Sequence, residues 1–261
     1  MRYLWLSIGI LLLCAAAIVG GVALFRARVG SVYWVASSAM APTLRADDRV
    51  VVYKMAYRAI PPSFGDIVVF RAPSAAAPFE KSEKTFLKRV VGVPGDTIRI
   101  TRGYVRINGV EYTHADMRSL LAPSRSDKDT LYVKLVQGQL LLGGHPVPAK
   151  DIAKAAGKPG ARVEVVSGRV YRNGKVLDEP YVAEDCDGEY PMPNTPDKWV
   201  AMERGVRVVR IPEGRLLVMG DNRNDSNDSR FWGLLESNRV LGRVTAIFSP
   251  QERAGPVKRL R

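Results

Sequence analysis

Cysteine and histidine are almost missing from this chain of 261 residues, each occurring twice. Cys14 sits in an apolar run and Cys186 far downstream in a polar stretch, so the two are not expected to pair. No cysteine framework can staple the fold, which excludes a small disulfide-built domain but not an extracytoplasmic one. With only His114 and His145, neither a Ser-His-Asp triad nor a histidine metal cluster is well supplied, and each reads as a surface residue. Acidic residues are also short, 26 against 39 basic ones, for a net charge of +13. That excess calls for an acidic partner, and nucleic acid or an anionic membrane surface would both satisfy it. Disorder is not what the composition describes, since 46% of the residues are hydrophobic and the length suits one large or two modest domains.

Charge is absent altogether from Tyr3 to Phe25, a run bracketed by Arg2 on one side and Arg26 and Arg28 on the other. As a helix these 23 residues extend roughly 34 Å, enough for a hydrocarbon core of about 30 Å. A cleaved signal peptide would have a shorter apolar region. A lipoprotein anchor fails on Leu13, too bulky before Cys14. Flanking charges are balanced and do not orient the span. No later segment is long and apolar enough to cross again.

From Val32 onward the pattern is of short strands between turn residues: Arg49 to Tyr53, Asp66 to Phe70, Thr97 to Ile100, Val105 to Ile107, Arg162 to Val166, Arg207 to Ile211, Leu216 to Met219 and Val240 to Phe248. Their valine and isoleucine content, with turns such as Pro94-Gly95-Asp96, predicts antiparallel β-structure. Thr97 to Tyr112 repeats in Arg162 to Leu177, with Gly103 on Gly168 and Asn108-Gly109 on Asn173-Gly174. Asn-Gly supplies the two positive-φ positions of a tight turn, so two similar hairpins are expected, each with a glycine turn between its strands. The mainly β fold is expected as an anchor, 1–28; a catalytic β-domain, 31–112 and 205–250; a smaller inserted β-rich domain, 113–204; and a basic tail, 251–261. Within the insertion, 116–158 is mixed in composition, with helical periodicity near Ala149 to Ala156.

Three segments carry more polarity than a β-core needs: Ser37-Ser38-Ala39-Met40-Ala41-Pro42-Thr43-Leu44, Phe86 to Asp96, and Gly220 to Gly233. Lys88 opens an apolar stretch. A buried lysine brought from about 10.4 to about 8 would cost roughly 3 kcal/mol and could act as a general base; the plain alternative is a side chain reaching solvent beside Arg89. The third segment fails as an EF-hand, because Arg223, Ser226 and Trp232 fall where a ligand, glycine and glutamate belong. It reads instead as a dense hydrogen-bonded turn in which Arg230 pairs with a carboxylate such as Asp228.

In this order behind an N-terminal anchor, and with Gly65 to Phe70 and Val170 to Val182, these segments resemble the bacterial type I signal peptidases. The resemblance implies a membrane-bound serine endopeptidase that removes signal peptides from exported preproteins, with no metal or organic cofactor. Its partners would be preprotein signal peptides, membrane lipid and the secretion machinery, not nucleic acid. The N-terminus would be cytoplasmic and the chain beyond Phe25 would lie outside the inner membrane. By the same resemblance position 39 holds the nucleophile, Lys88 the general base, and Ser37 with the backbone N–H of position 39 the oxyanion hole. Ser226 would orient the lysine, and Asp228 and Arg230 would form a supporting ion pair. The family's serine is here Ala39, whose methyl group cannot attack a carbonyl. Ser38 is no substitute if the segment is extended, since adjacent side chains then point to opposite faces. A deliberate substitution or a natural non-catalytic relative would explain Ala39; the intact remaining positions favour the first. Other activities to be weighed are a non-catalytic signal-peptide-binding membrane protein and a peptidase that matures a conjugation pilin.

Overall fold

The computed structural model describes residues 11–15, 17–21, 30–76, 78, 84–121, 133–192 and 195–258. Much of the expected anchor lies outside these residues. Its described parts, 11–15 and 17–21, are helical and exposed, and among the described residues no helix is long and apolar enough to cross a membrane. Residues 122–132, within the expected insertion, and the last three residues of the basic tail also fall outside the description.

The remainder is mainly antiparallel β-structure. The largest sheet runs Gly30–Trp34, Arg49–Tyr53, Val240–Ser249, Ile67–Arg71, Thr85–Gly92, Arg215–Met219 and Leu235–Glu236 in spatial order, with Gly255–Pro256 added beside Val240–Ser249. Ile67–Arg71 can be a continuous apolar run because both of its faces are covered. Ile67 and Val69 join Val35, Met40, Leu44, Val50 and Val52 on one side, while Val68 and Phe70 join Val90, Leu216 and Val218 on the other. At Thr85–Gly92 the pairing is asymmetric. Ile67–Arg71 pairs with Thr85 through Arg89, but Arg215–Met219 reaches only Arg89, Val90 and Gly92. Among the described residues, one edge of Thr85 to Lys88 is therefore left unpaired within the sheet.

The internal repeat folds differently from expectation. Both Asn-Gly pairs make tight turns, with φ of 49° and 83° at Asn108 and Gly109 and 54° and 77° at Asn173 and Gly174. Gly103 and Gly168, however, do not turn each copy's strands back on one another. Thr97–Thr101 pairs with Arg169–Arg172 of the other copy, and Tyr104–Ile107 with Val163–Val166. The copies exchange strands, and they cross where a Cβ on Gly168 would lie 2.9 Å from Gly103 N and 2.6 Å from Cys186 O. Glycine is needed there for close backbone approach rather than for a turn. The exchange joins strands from 97–112 to strands from 163–210 in two smaller sheets. A helix at Ala149–Ala155 matches the periodicity, and another at His114–Leu121 was not expected. Both pack onto Val105, Ile107, Val133, Leu135 and Leu140 through Met117 and Ile152. His114 is not a surface residue: it is buried, with Nε2 on the Val133 carbonyl, because it opens the helix that caps this small core. His145 is exposed as expected.

Candidate functional site

The first polar segment leaves the strand Gly30–Trp34 and is pinned before it reaches position 39. Val35 N donates to Asp48 O at 2.8 Å and Asp47 N to Val35 O at 2.9 Å, while the buried Asp48 carboxylate takes two bonds of 2.9 Å from Arg253. Ser37 is extended, and Ser38–Met40 then forms one 3-10 turn. This corrects the expectation of an extended segment, since successive side chains of a 3-10 turn sit about 120° apart rather than on opposite faces. Ser38 is withheld for another reason: its hydroxyl donates to the Asp225 carboxylate, 187 residues away.

The third segment closes over this turn. Asn222 donates from its backbone N to Ala39 O at 3.1 Å and from Nδ2 to Ser38 O at 3.3 Å. Gly220 makes the approach possible, because a Cβ there would sit inside contact distance of Ser226 Oγ and the Ala39 carbonyl. The loop itself hangs on buried arginines. Arg230 donates to Asp228 at 2.8 Å twice, to Arg223 O at 2.5 Å and to Cys186 Sγ at 2.9 Å. Burial alone would push the Asp228 carboxyl up, but the Arg230 guanidinium outweighs it and holds the carboxyl below its ordinary range. The expected pair is thus present and enclosed, Arg230 at 6% side-chain exposure and Asp228 at 0%.

Two further ion pairs carry no sequence assignment. Arg89 chelates Asp221 at 2.8 and 2.6 Å, donates to Gly65 O at 3.0 Å and stacks 4.0 Å over Tyr181. Arg223 chelates Glu179 at 3.0 and 2.6 Å. Arg89 was legible in principle, since a charge on a strand that continues Val90-Val91 into the core demands a carboxylate.

Lys88 is buried at 5% exposure beside these pairs, its Nζ 5.7 Å from the Phe86 ring centroid, so the solvent-reaching alternative does not occur. Desolvation lowers its pKa from 10.5 to about 8, against the pull of Asp228, Asp221 and Asp225, while Arg230 pushes the same way as burial. Ser226 is buried with its Oγ fully enclosed; its hydroxyl leans on Asp228 electrostatically but makes no hydrogen bond of good geometry among the described residues. Ser37, Ser38, Ala39, Lys88, Asp225 and Ser226 line one cleft of about 520 Å³, walled by Trp34, Phe86 and Leu87. Of the positions to which the resemblance gives a role in the site, Ser37, Ala39, Lys88 and Ser226 therefore border the same space, and Asp228 and Arg230 lie buried beside it. Chemically, the cleft offers a largely apolar groove, an unpaired strand edge and an amine close to neutrality. Among the described residues no cluster of His, Cys, Asp or Glu is arranged to hold a metal ion.

Comparison with known proteins gives one consistent family. The family model described as "Signal peptidase, peptidase S26" matches residues 5–156 and 149–249. A probable signal peptidase I-2 of Synechocystis sp. is 27% identical over 251 residues, covering 96% of this chain and 76% of that protein. A probable signal peptidase I-1 of the same organism is 29% identical, covering 89% and 78%, and the signal peptidase I of Leptolyngbya laminosa is 26% identical, covering 88% and 74%.

Proposed function

The chain belongs to the signal peptidase, peptidase S26, family, and on that premise we propose that its architecture is that of a serine endopeptidase cutting signal peptides from exported preproteins, here without the attacking hydroxyl. The observation that carries this reading is Lys88, an amine drawn down to about 8 by burial in the cleft that also contains position 39. A serine at position 39 would give its proton to neutral Lys88 Nζ as Oγ attacks the scissile carbonyl. The lysine would return that proton to the departing amine, and water would then hydrolyse the acyl-serine ester. Ser37, exposed on the cleft wall, and the backbone N–H of residue 39 are the candidate oxyanion donors; Ser226 Oγ is the candidate partner of the lysine. The unpaired edge of Thr85 to Lys88 supports substrate binding as an added strand, and the apolar cleft suits small side chains. The uncharged run ending at Phe25, with exposed Val32 and Trp34 a few residues beyond it and a net charge of +13, supports anchoring in a bacterial cytoplasmic membrane with the β-domain on the outer side. Ala39 itself favours a second reading, a membrane protein that binds signal peptides without cutting them.

The test compares the present chain, Ala39→Ser, and Ala39→Ser with Lys88→Ala on a preprotein bearing an Ala-x-Ala site, in liposomes at pH 8 to 9. Only the single revertant should cut, by on the order of 10³-fold or more over the others, since nucleophile and base act as a unit. Its rate should rise with pH through about 8 as Lys88 loses its proton. A folded revertant that cuts no preprotein hands the site to the binding reading.

A further inference from the structure

We infer that Ser38 and Asp225 are positioning residues, whose side-chain hydrogen bond fixes the residue-39 turn against the Lys88 cleft; the inference rests on the catalytic reading above. The turn is seated in the core at its end by Met40. Its backbone is pinned by Asn222 at Ala39 O and Ser38 O, both on the carbonyl side. Those two bonds and the buried Met40 hold the core side of the turn and leave the exposed Ser38 side chain, at the cleft, to be fixed separately. The Ser38 hydroxyl on Asp225 adds a third point from a different direction. Both side chains are exposed and border the cleft together with Ala39 and Lys88, so the bond adds little to the core and acts locally on the cleft wall. Asp225 is also held by its neighbours in sequence: its N donates to Asn222 O at 3.1 Å, which couples the third point to the residue that supplies the first two.

The acceptor brings a charge to the cleft. Lys88 faces Asp228, Arg230 and Asp221 from beneath and Asp225 from the rim, and Asp225 is among the groups that draw the amine toward its protonated form. The rim carboxylate thus has two separable effects, and two substitutions separate them. Ser38→Ala removes the donor and keeps the charge. Asp225→Asn keeps an acceptor oxygen and removes the charge.

In the Ala39→Ser background, Ser38→Ala should lower kcat about tenfold with KM within about twofold, the scale of one hydrogen bond to a charged group. Asp225→Asn should cost less at high pH and should move the rising limb of the rate profile to lower pH, because the amine loses an attractive charge. An unchanged kcat in Ser38→Ala, or an unmoved limb in Asp225→Asn, overturns the assignment. Should the revertant prove inactive, the latch is read in the present chain by amide hydrogen exchange in micelles. Ala41 N–H, bonded to Ser38 O, and Leu44 N–H, bonded to Met40 O, should exchange about tenfold faster in Ser38→Ala and near the parental rate in Asp225→Asn. Equal rates in all three chains would refute the latch whatever the revertant does.

Discussion

Replacing Lys88 by methionine should make the protein more stable, which is the reverse of what most buried substitutions do. The amine is drawn from 10.5 to about 8 by burial, net of the carboxylates and arginine that face it. At 1.36 kcal/mol per pH unit, that displacement corresponds to about 3 kcal/mol of folding free energy forgone while the group is charged. The sign follows from proton counts. Between about 8 and 10.5 the unfolded chain binds the proton and the folded chain does not, so stability rises with pH across that window. Below about 8 the whole penalty is present, and above 10.5 it has vanished. Methionine fills a similar volume against Phe86 and Leu87 with no charge to desolvate. The full chain in detergent, unfolded by urea at pH 7, 9 and 10.5, should therefore show Lys88→Met ahead by about 2 to 3 kcal/mol at pH 7 and progressively less at the two higher values. A methionine variant that is weaker at pH 7, or whose advantage does not narrow, would mean that Asp228, Asp221 and Asp225 hold the amine charged and content. The general-base assignment would then lose its physical support.

Two substitutions probe the scaffold beneath the cleft. Arg230→Ala should lower stability by about 3 to 5 kcal/mol, more than a surface pair could, because it strands the enclosed Asp228 carboxylate and removes donors from Arg223 O; urea unfolding at pH 7 reads it, and a loss under about 1 kcal/mol would contradict the buried geometry. Gly220→Ala should abolish cleavage in the Ala39→Ser background while costing only about 1 to 3 kcal/mol, since the added methyl would displace Ser226 and the Ala39 carbonyl rather than the sheet; retained activity would show that the approach is not needed.

Strand positions were legible because valine and isoleucine runs have few other uses. Arg49–Tyr53 has the expected bounds, Thr97–Thr101 and Arg215–Met219 differ by a residue at one end, and Ile67–Arg71 is shifted by one residue at both. The Asn-Gly turns were legible for a similarly local reason, as two adjacent positive φ values have a narrow chemistry. What could not be read was partnership. Whether Thr97–Thr101 pairs within its own repeat or with the other copy depends on two glycines meeting 65 positions apart, and no local pattern encodes that meeting. The same limit hid which carboxylates Arg89 and Arg223 take, since Asp221 lies 132 positions and Glu179 44 positions away in sequence. His114 was misread because its burial is decided by a short helix of mixed polarity lying on a core supplied by distant strands.

The intact residues around Ala39 do not weigh equally as signs of catalysis. Gly220, Asp228, Arg230, Arg89 and Asp221 would be retained by any protein with this fold, since each removes a clash or an uncompensated buried charge, and a non-catalytic binder needs them as much as an enzyme does. Lys88 is different. Its burial works against folding, and within the described contacts its charge is not spent on an ion pair of its own, so a chain selected only for structure or for peptide binding would gain by replacing it with an apolar residue. A group kept at a cost to stability, in the cleft that also holds position 39, is the feature that separates the two readings. That is why the lysine, more than the number of matching positions, makes restoration of the hydroxyl at residue 39 the expected route to a working peptidase.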